Sequence, residues 1–241
     1  MDTQALLEAW EAGHRLSPQG WALALLALAR PDQEHEALAA LSVGQRDARL
    51  IALRNALFGS ALSVVERCPQ CQEELEVEMD AQPLVLPPSP AAQERHELQA
   101  EGCMLGFRLP SAGDLLAASA CGDVDAAQRL LLGRCVLAAS MNGVAIAPAA
   151  LPQAALAALS DRMGELDPQA DLRLRLHCPC CRHDWPVAFD MLPFLWREID
   201  AWARRLLHQV HELAAAYGWA ERDILAMSPT RRQAYLSMSV A

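Results

Sequence analysis

Two turns in this sequence carry residue types that could do chemistry. One is Cys68-Pro69-Gln70-Cys71 and the other is Cys178-Pro179-Cys180-Cys181. Two residues between cysteines let a tight turn aim both sulfurs at one ion. Two such turns supply four thiolates at about 2.3 Å from a tetrahedral Zn2+. Cys68, Cys71, Cys178 and Cys181 are therefore read as the ligands of one zinc per chain. Four protein ligands leave no position for water or substrate, so such a site is structural rather than catalytic. The competing readings are a disulfide, a redox dithiol, and thiols that are merely buried. Cys180, His177 and His183 are near enough in sequence to replace a ligand, although the C-x-x-C register favours Cys178 and Cys181. More than 100 residues separate the two turns. If they share an ion, the metal pins the front of the chain to the back.

Other constellations carry less. His208, His211 and Glu212 lack the H-E-x-x-H order of a metalloprotease. The glycines form no phosphate-binding loop, and no serine stands in G-x-S-x-G. Cys103, Cys121 and Cys135 are scattered singly and read as small buried apolar residues. The sequence thus points to no catalytic acid, base or nucleophile, and the chain is read as a non-enzyme.

The elements that must position the cysteines follow from periodicity. Each turn lies beside an alternating run. Glu74–Met79 places Leu75, Val77 and Met79 on one face, and Leu172–Leu176 alternates leucine with arginine. Trp185–Phe189 reads as the returning strand of the second turn. The outward Glu74, Glu76 and Glu78 and the outward Arg173 and Arg175 are complementary, so these two strands are expected to pair in one sheet. Residues 3–58 read as helices. Ser17-Pro18 marks one start, and Ser42 with Gln45 forms a capping box at another. Four prolines within 83–90 mark an extended connector. Met104–Leu109 is a weak strand, and 112–167 is helical again, including one helix over 123–141. The longest helix runs over 193–217 to Gly218, and Ser228-Pro229 opens a last short one.

The fold class expected is mainly α with a small β zinc-ribbon-like element (α+β), helices preceding and following a two-knuckle zinc site of four cysteines. The divisions are a helical region over 1–67, a first knuckle and strand over 68–82, and a connector, strand and helical insertion over 83–170. A second knuckle hairpin over 171–190 and a C-terminal helical region over 191–241 complete what reads as one composite domain.

Composition narrows the partners. Of 241 residues, 53% are hydrophobic but only 5% aromatic, which suits helices packed through small side chains. The net charge of −10 argues against a general nucleic-acid binder, because phosphate contact needs a basic surface. No apolar run approaches a membrane span, and Met1-Asp2-Thr3-Gln4 does not open a signal peptide. Eight cysteines without an export signal fit a reducing cytoplasm and metal binding.

Several stretches together resemble one family. They are Leu6-Leu7-Glu8-Ala9-Trp10-Glu11 with Ser17-Pro18, Leu41 to Leu50, and Leu57-Phe58-Gly59 before the first cysteine turn. Asp167 to Asp171 before the second turn, Phe194 to Asp200, and Tyr217-Gly218-Trp219 with Ile224-Leu225 and Ser228-Pro229 complete the set. The family is the baseplate hub assembly chaperones of T-even-type contractile-tailed phages, with related copies in gene clusters for contractile injection systems. The resemblance spans nearly the whole chain. It implies a non-enzymatic role in building a baseplate hub, with hub or baseplate proteins as partners and either departure from the finished particle or incorporation in it. The family turn often continues with glycine, where this chain has Gln72 and Arg182. The readings set beside this one are a zinc-ribbon nucleic-acid or transcription factor, using Arg204-Arg205 or Arg231-Arg232, and a thiol oxidoreductase using Cys178 and Cys181.

Overall fold

A computed structural model describes residues 2–87 and 95–239. Helices α1 (Thr3–Gly13), α2 (Pro18–Ala29), α3 (His35–Ala39) and α4 (Val43–Phe58) open the chain. Their starts are the ones that the side chains encode. The Ser17 hydroxyl accepts the Gly20 N–H at the head of α2, with Pro18 in the first turn. Ser42 and Gln45 close a reciprocal box at the head of α4, and Gly59 ends that helix at φ 84°.

Two hairpins follow the same plan far apart in sequence. β1 (Ala61–Arg67) pairs antiparallel with β2 (Glu74–Asp80), and β7 (Arg173–His177) with β8 (Asp184–Ala188). A cysteine turn forms the tip of each. The two hairpins are separate two-stranded sheets, which corrects the expectation that the glutamate strand and the arginine strand pair. Each strand instead takes the partner that its own short turn delivers, because closing a short loop costs far less entropy than closing one of a hundred residues. The charges are answered locally. Arg67 meets Glu74 at 3.1 Å, Ser63 donates to Glu76 at 2.9 Å, and Arg173 meets Asp171 at 2.8 Å.

Between the hairpins lies a four-stranded antiparallel sheet in the order β3 (His96–Ala100), β4 (Cys103–Phe107), β5 (Val136–Met141), β6 (Val144–Ala145). Helices α5 (Ala112–Ser119), α6 (Val124–Cys135) and α7 (Gln153–Leu166) accompany it. The helix expected over 123–141 therefore stops at Cys135, and the chain becomes strand. Val136 is β-branched, and Asn142 (φ 50°) and Gly143 (φ 80°) form the left-handed turn that folds β6 back on β5. An Asn-Gly step between apolar runs is a strong hairpin signal. It outweighs the helical spacing that precedes it. Cys103, Leu105, Phe107, Val136, Ala155 and Leu159 form this unit's core. The proline-rich run begins as a short 3-10 turn at Gln82–Leu84, and Gln169 brackets it by accepting the Leu86 N–H and donating to the Leu84 carbonyl. The connector's Pro88, Ser89 and Pro90 lie outside the described residues.

Helix α8 (Met191–Tyr217) is the longest, ending on Gly218 in the left-handed conformation, and α9 (Glu221–Leu225) and α10 (Pro229–Ser239) pack after it. Leu195 and Ile199 of α8 join Leu6, Trp21, Leu25, Leu50, Ile51 and Leu62 in the main core. The front and back of the chain therefore share one interior. Polar contacts fasten the same seam. Trp10 Nε1 donates to Asp200 at 2.9 Å, and the Arg54 guanidinium takes both Glu198 oxygens at 2.8 and 2.5 Å while donating to the Gly59 and Ala61 carbonyls. The class is α+β. No helix among the described residues is long and apolar enough to cross a membrane.

Candidate metal centre

Each cysteine turn is built in the same way. At the first, the Gln72 N–H donates to the Cys68 carbonyl and the Cys68 N–H to the Glu73 carbonyl, both at 2.9 Å. At the second, Arg182 donates to Cys178 and Cys178 to His183, again at 2.9 Å. This closure needs a left-handed residue after the second cysteine. Gln72 has φ 65° and Arg182 φ 61°. The backbone is thus the one that glycine adopts most easily, and the non-glycine residues adopt it at a cost of about 1–2 kcal/mol each. The likeness continues below the tips. The cross-strand pair beside the first turn is Arg67 with Glu74, and the pair beside the second is His177 with Asp184 at 2.9 Å.

The two tips meet. Cys68 Sγ lies 3.6 Å from Cys181 Sγ, and Cys71 Sγ lies 3.5 Å from Cys178 Sγ. The four sulfurs all fall within 4.8 Å of one another. Metal–sulfur bonds of about 2.3 Å in a regular tetrahedron separate the sulfurs by about 3.8 Å. The set therefore has the dimensions of a four-thiolate metal site, and it pairs residues 107 apart in sequence. Cys68 and Cys178 are fully buried beside Leu75, Val77 and Trp185, which cover the inner side. Soft thiolate donors in tetrahedral array suit zinc, Cu(I) or iron–sulfur chemistry, and four of them leave no open position.

Backbone N–H groups aimed at the sulfurs favour the thiolate form that a metal requires. The Cys181 and Cys180 amides hold the Cys178 thiol down to about 7, outweighing its burial. The Glu73 amide acts in the same sense on Cys71, but desolvation and the three neighbouring thiols together push Cys71 up to about 12. Four thiols this close cannot all ionise in isolation. A cation among them removes the repulsion, so the donor set fits a bound metal ion.

The residues weighed as substitutes lie outside the four-sulfur set, although the Cys180 thiol reaches that of Cys178. Cys180 is exposed, His177 Nδ1 faces Asp184, and His183 stacks on Trp185 at 5.8 Å. All eight cysteines are free. Cys103 and Cys135 are buried and Cys121 half-buried, as expected of small apolar residues. His208 sits exposed, 3.2 Å from Glu212 along the same face of α8. The strands missed in the sequence are β1, β3, β5 and β6, and of these β1 carries a cysteine turn. Its signal is the alternation of Leu62 and Val64 with Ser63 and Val65 directly before Cys68. No family model, curated protein or solved structure matches this chain.

Proposed function

We propose that the chain is a non-enzymatic assembly factor, or structural subunit, for the baseplate hub of a phage-tail-like contractile injection particle. It acts by binding protein partners from a scaffold held by one structural Zn2+ on Cys68, Cys71, Cys178 and Cys181. The observation that carries this reading is the meeting of the two cysteine turns across 107 residues, because a closed four-thiolate set favours a fastening role over a catalytic one. The identity of the partners rests on the resemblance, whose stretches include both turns' surroundings and the α8 segment Phe194 to Asp200. Zinc is the metal favoured because two C-x-x-C turns that present four thiolates in a tetrahedral set are its usual structural ligands.

Apolar surface of the kind that partner binding uses is present. A groove of about 420 Å3 between α6 and α7 is lined by Leu131, Leu132, Leu156 and Met163, and Val124 at its rim is 81% exposed. The nucleic-acid reading draws less support. Arg204 is paired with Asp200 at 2.8 Å and Arg232 is buried, so neither arginine pair forms an open basic patch. The thiol oxidoreductase reading is weakened by the full burial of Cys178.

The test is to tag the chain in its own gene cluster and separate finished particles from the soluble pool by sedimentation. Recovery with hub proteins in the soluble pool alone identifies an assembly chaperone. Recovery in particles at fixed stoichiometry identifies a subunit. Recovery with neither overturns the reading.

A further inference from the structure

One stripe of α8 is left open by the rest of the fold. Arg197, Ala201 and Arg205 follow one another along it at four-residue steps, so the two arginines stand about 12 Å apart with a small side chain midway. The outward face of β1 lies opposite with Ser63 and Val65, and the two elements enclose a groove of about 530 Å3. Phe58 and Phe194 add apolar walls, and Val65 is 58% exposed. Arg197 is steadied over the Phe194 ring at 4.4 Å, and neither Arg197 nor Arg205 meets a carboxylate among the described residues. Glu198, which also lines the groove, is already taken by Arg54. Three arginines against one glutamate leave the lining with two surplus positive charges, in a chain whose net charge is −10. No lining residue lies on β2, whose Glu74 and Glu76 are answered by Arg67 and Ser63.

We propose that this groove docks an extended acidic segment of a partner protein, with carboxylates four residues apart and a bulky apolar side chain midway between them. Charge sets the first condition. Two unpaired guanidinium groups on an otherwise acidic molecule draw carboxylates to this one place, and each can take a carboxylate through two parallel N–H donors. Spacing sets the second. In an extended chain alternate side chains share a face, and residues four apart span about 13 Å, which matches the separation of Arg197 and Arg205. The residue midway then sits over Ala201, where the short side chain leaves room, with Val65 and Phe194 beside it. A fatty acid would fill the apolar part but offers one anionic group to two arginines. A nucleic acid would engage both arginines but is repelled by the rest of the chain. The groove is preformed, because the Arg54 contacts to Glu198, Gly59 and Ala61 fix α4, β1 and α8 together. Little ordering cost on this side therefore opposes docking. This inference is independent of the baseplate role.

The experiment is fluorescence anisotropy on the full, metal-loaded chain with a fluorescein-labelled synthetic peptide of serine and glycine that carries two glutamates four residues apart and a leucine midway. A second peptide has the same composition with the glutamates adjacent, and a third has lysines in place of the glutamates. The variants are Arg197→Glu with Arg205→Glu, and Val65→Asp. All three positions are exposed, so the variants retain the fold, which circular dichroism verifies. The wild type is expected to bind the first peptide saturably, with a Kd below about 1 mM at about 50 mM salt, and more weakly at about 500 mM. The adjacent-glutamate peptide and each variant are expected to lose about tenfold or more. The double arginine variant is expected to prefer the lysine peptide, since the charges are then exchanged. No saturable binding by the wild type overturns the proposal. So does binding that neither variant weakens, a loss in the double arginine variant that the lysine peptide does not restore, or equal affinity for the two glutamate peptides. Displacement of the labelled peptide by a single-stranded oligonucleotide or by palmitate, at lower concentration than by the unlabelled peptide, overturns it as well and assigns the groove to that ligand.

Discussion

Arg54 is the side chain on which the junction of α4, β1 and α8 depends, and replacing it with methionine is expected to cost the fold heavily. Its side chain is 3% exposed, and its guanidinium satisfies both oxygens of Glu198 and the carbonyls of Gly59 and Ala61. Arg54→Met leaves a carboxylate and two carbonyls without their donor. Removing one member of a buried ion pair costs about 3–5 kcal/mol. Glu198 is 29% exposed and regains some water, which places the loss near the lower end, at about 3 kcal/mol. For a chain of this size that lowers Tm by roughly 6–12 °C. Arg54→Met with Glu198→Met removes both charges and is expected to regain about half, the remainder being the two carbonyls. Thermal and urea unfolding followed by circular dichroism reads all the variants. A loss under about 1 kcal/mol in Arg54→Met would refute the reasoning. So would a double variant that falls by the sum of the single ones, because contacting residues must couple.

Burial holds the Asp47 carboxyl up at about 6 against the pull of Arg46, with Asp190 and Asp167 adding to the rise. A raised carboxyl favours the fold below its unfolded pKa and loses that advantage as pH climbs through the folded value. Asp47→Asn should therefore stabilise by up to about 3 kcal/mol at about pH 8 and by almost nothing near pH 4, read by urea unfolding at each pH. Gly44 donates its N–H to Asp167 at 2.9 Å, and a Cβ there would overlap that carboxylate. Gly44→Ala is expected to cost about 1–3 kcal/mol in thermal unfolding, with part of the loss recovered by adding Asp167→Ala. Gln72 and Arg182 hold left-handed backbone at the tips of the two turns. Gln72→Gly and Arg182→Gly should each stabilise the metal-loaded chain by about 0.5–1 kcal/mol, and a loss in either would show that the side chain contributes more than its backbone costs.

The cysteine turns and most helix limits were legible because each rests on local chemistry. Ser17-Pro18, the Ser42–Gln45 box and Gly218 all act within a turn of themselves, and all stand where the sequence placed them. The meeting of the two turns was also inferable, since a metal site needs both. Which strands pair was not. Glu74, Glu76 and Glu78 do seek partners, but Arg67 and Ser63 reach them through a short turn before Arg173 or Arg175 can. The β5 strand was hidden because Leu130, Leu131, Cys135 and Leu137 keep helical spacing past the true helix end at Cys135. There the pairing with β4, a tertiary contact, outweighs local preference. The sequence flagged Gln72 and Arg182 as departures from glycine. The positive φ at both shows that these side chains adopt the left-handed turn that glycine takes most easily.

The central claim is that one zinc ion on four sulfurs joins the two ends of the chain. X-ray absorption at the zinc edge, on protein purified without added metal, tests it most directly. The account predicts one zinc per chain with four sulfur neighbours at about 2.3 Å and no nitrogen or oxygen in the shell. A chain free of metal, or a shell of mixed sulfur and nitrogen, would contradict it.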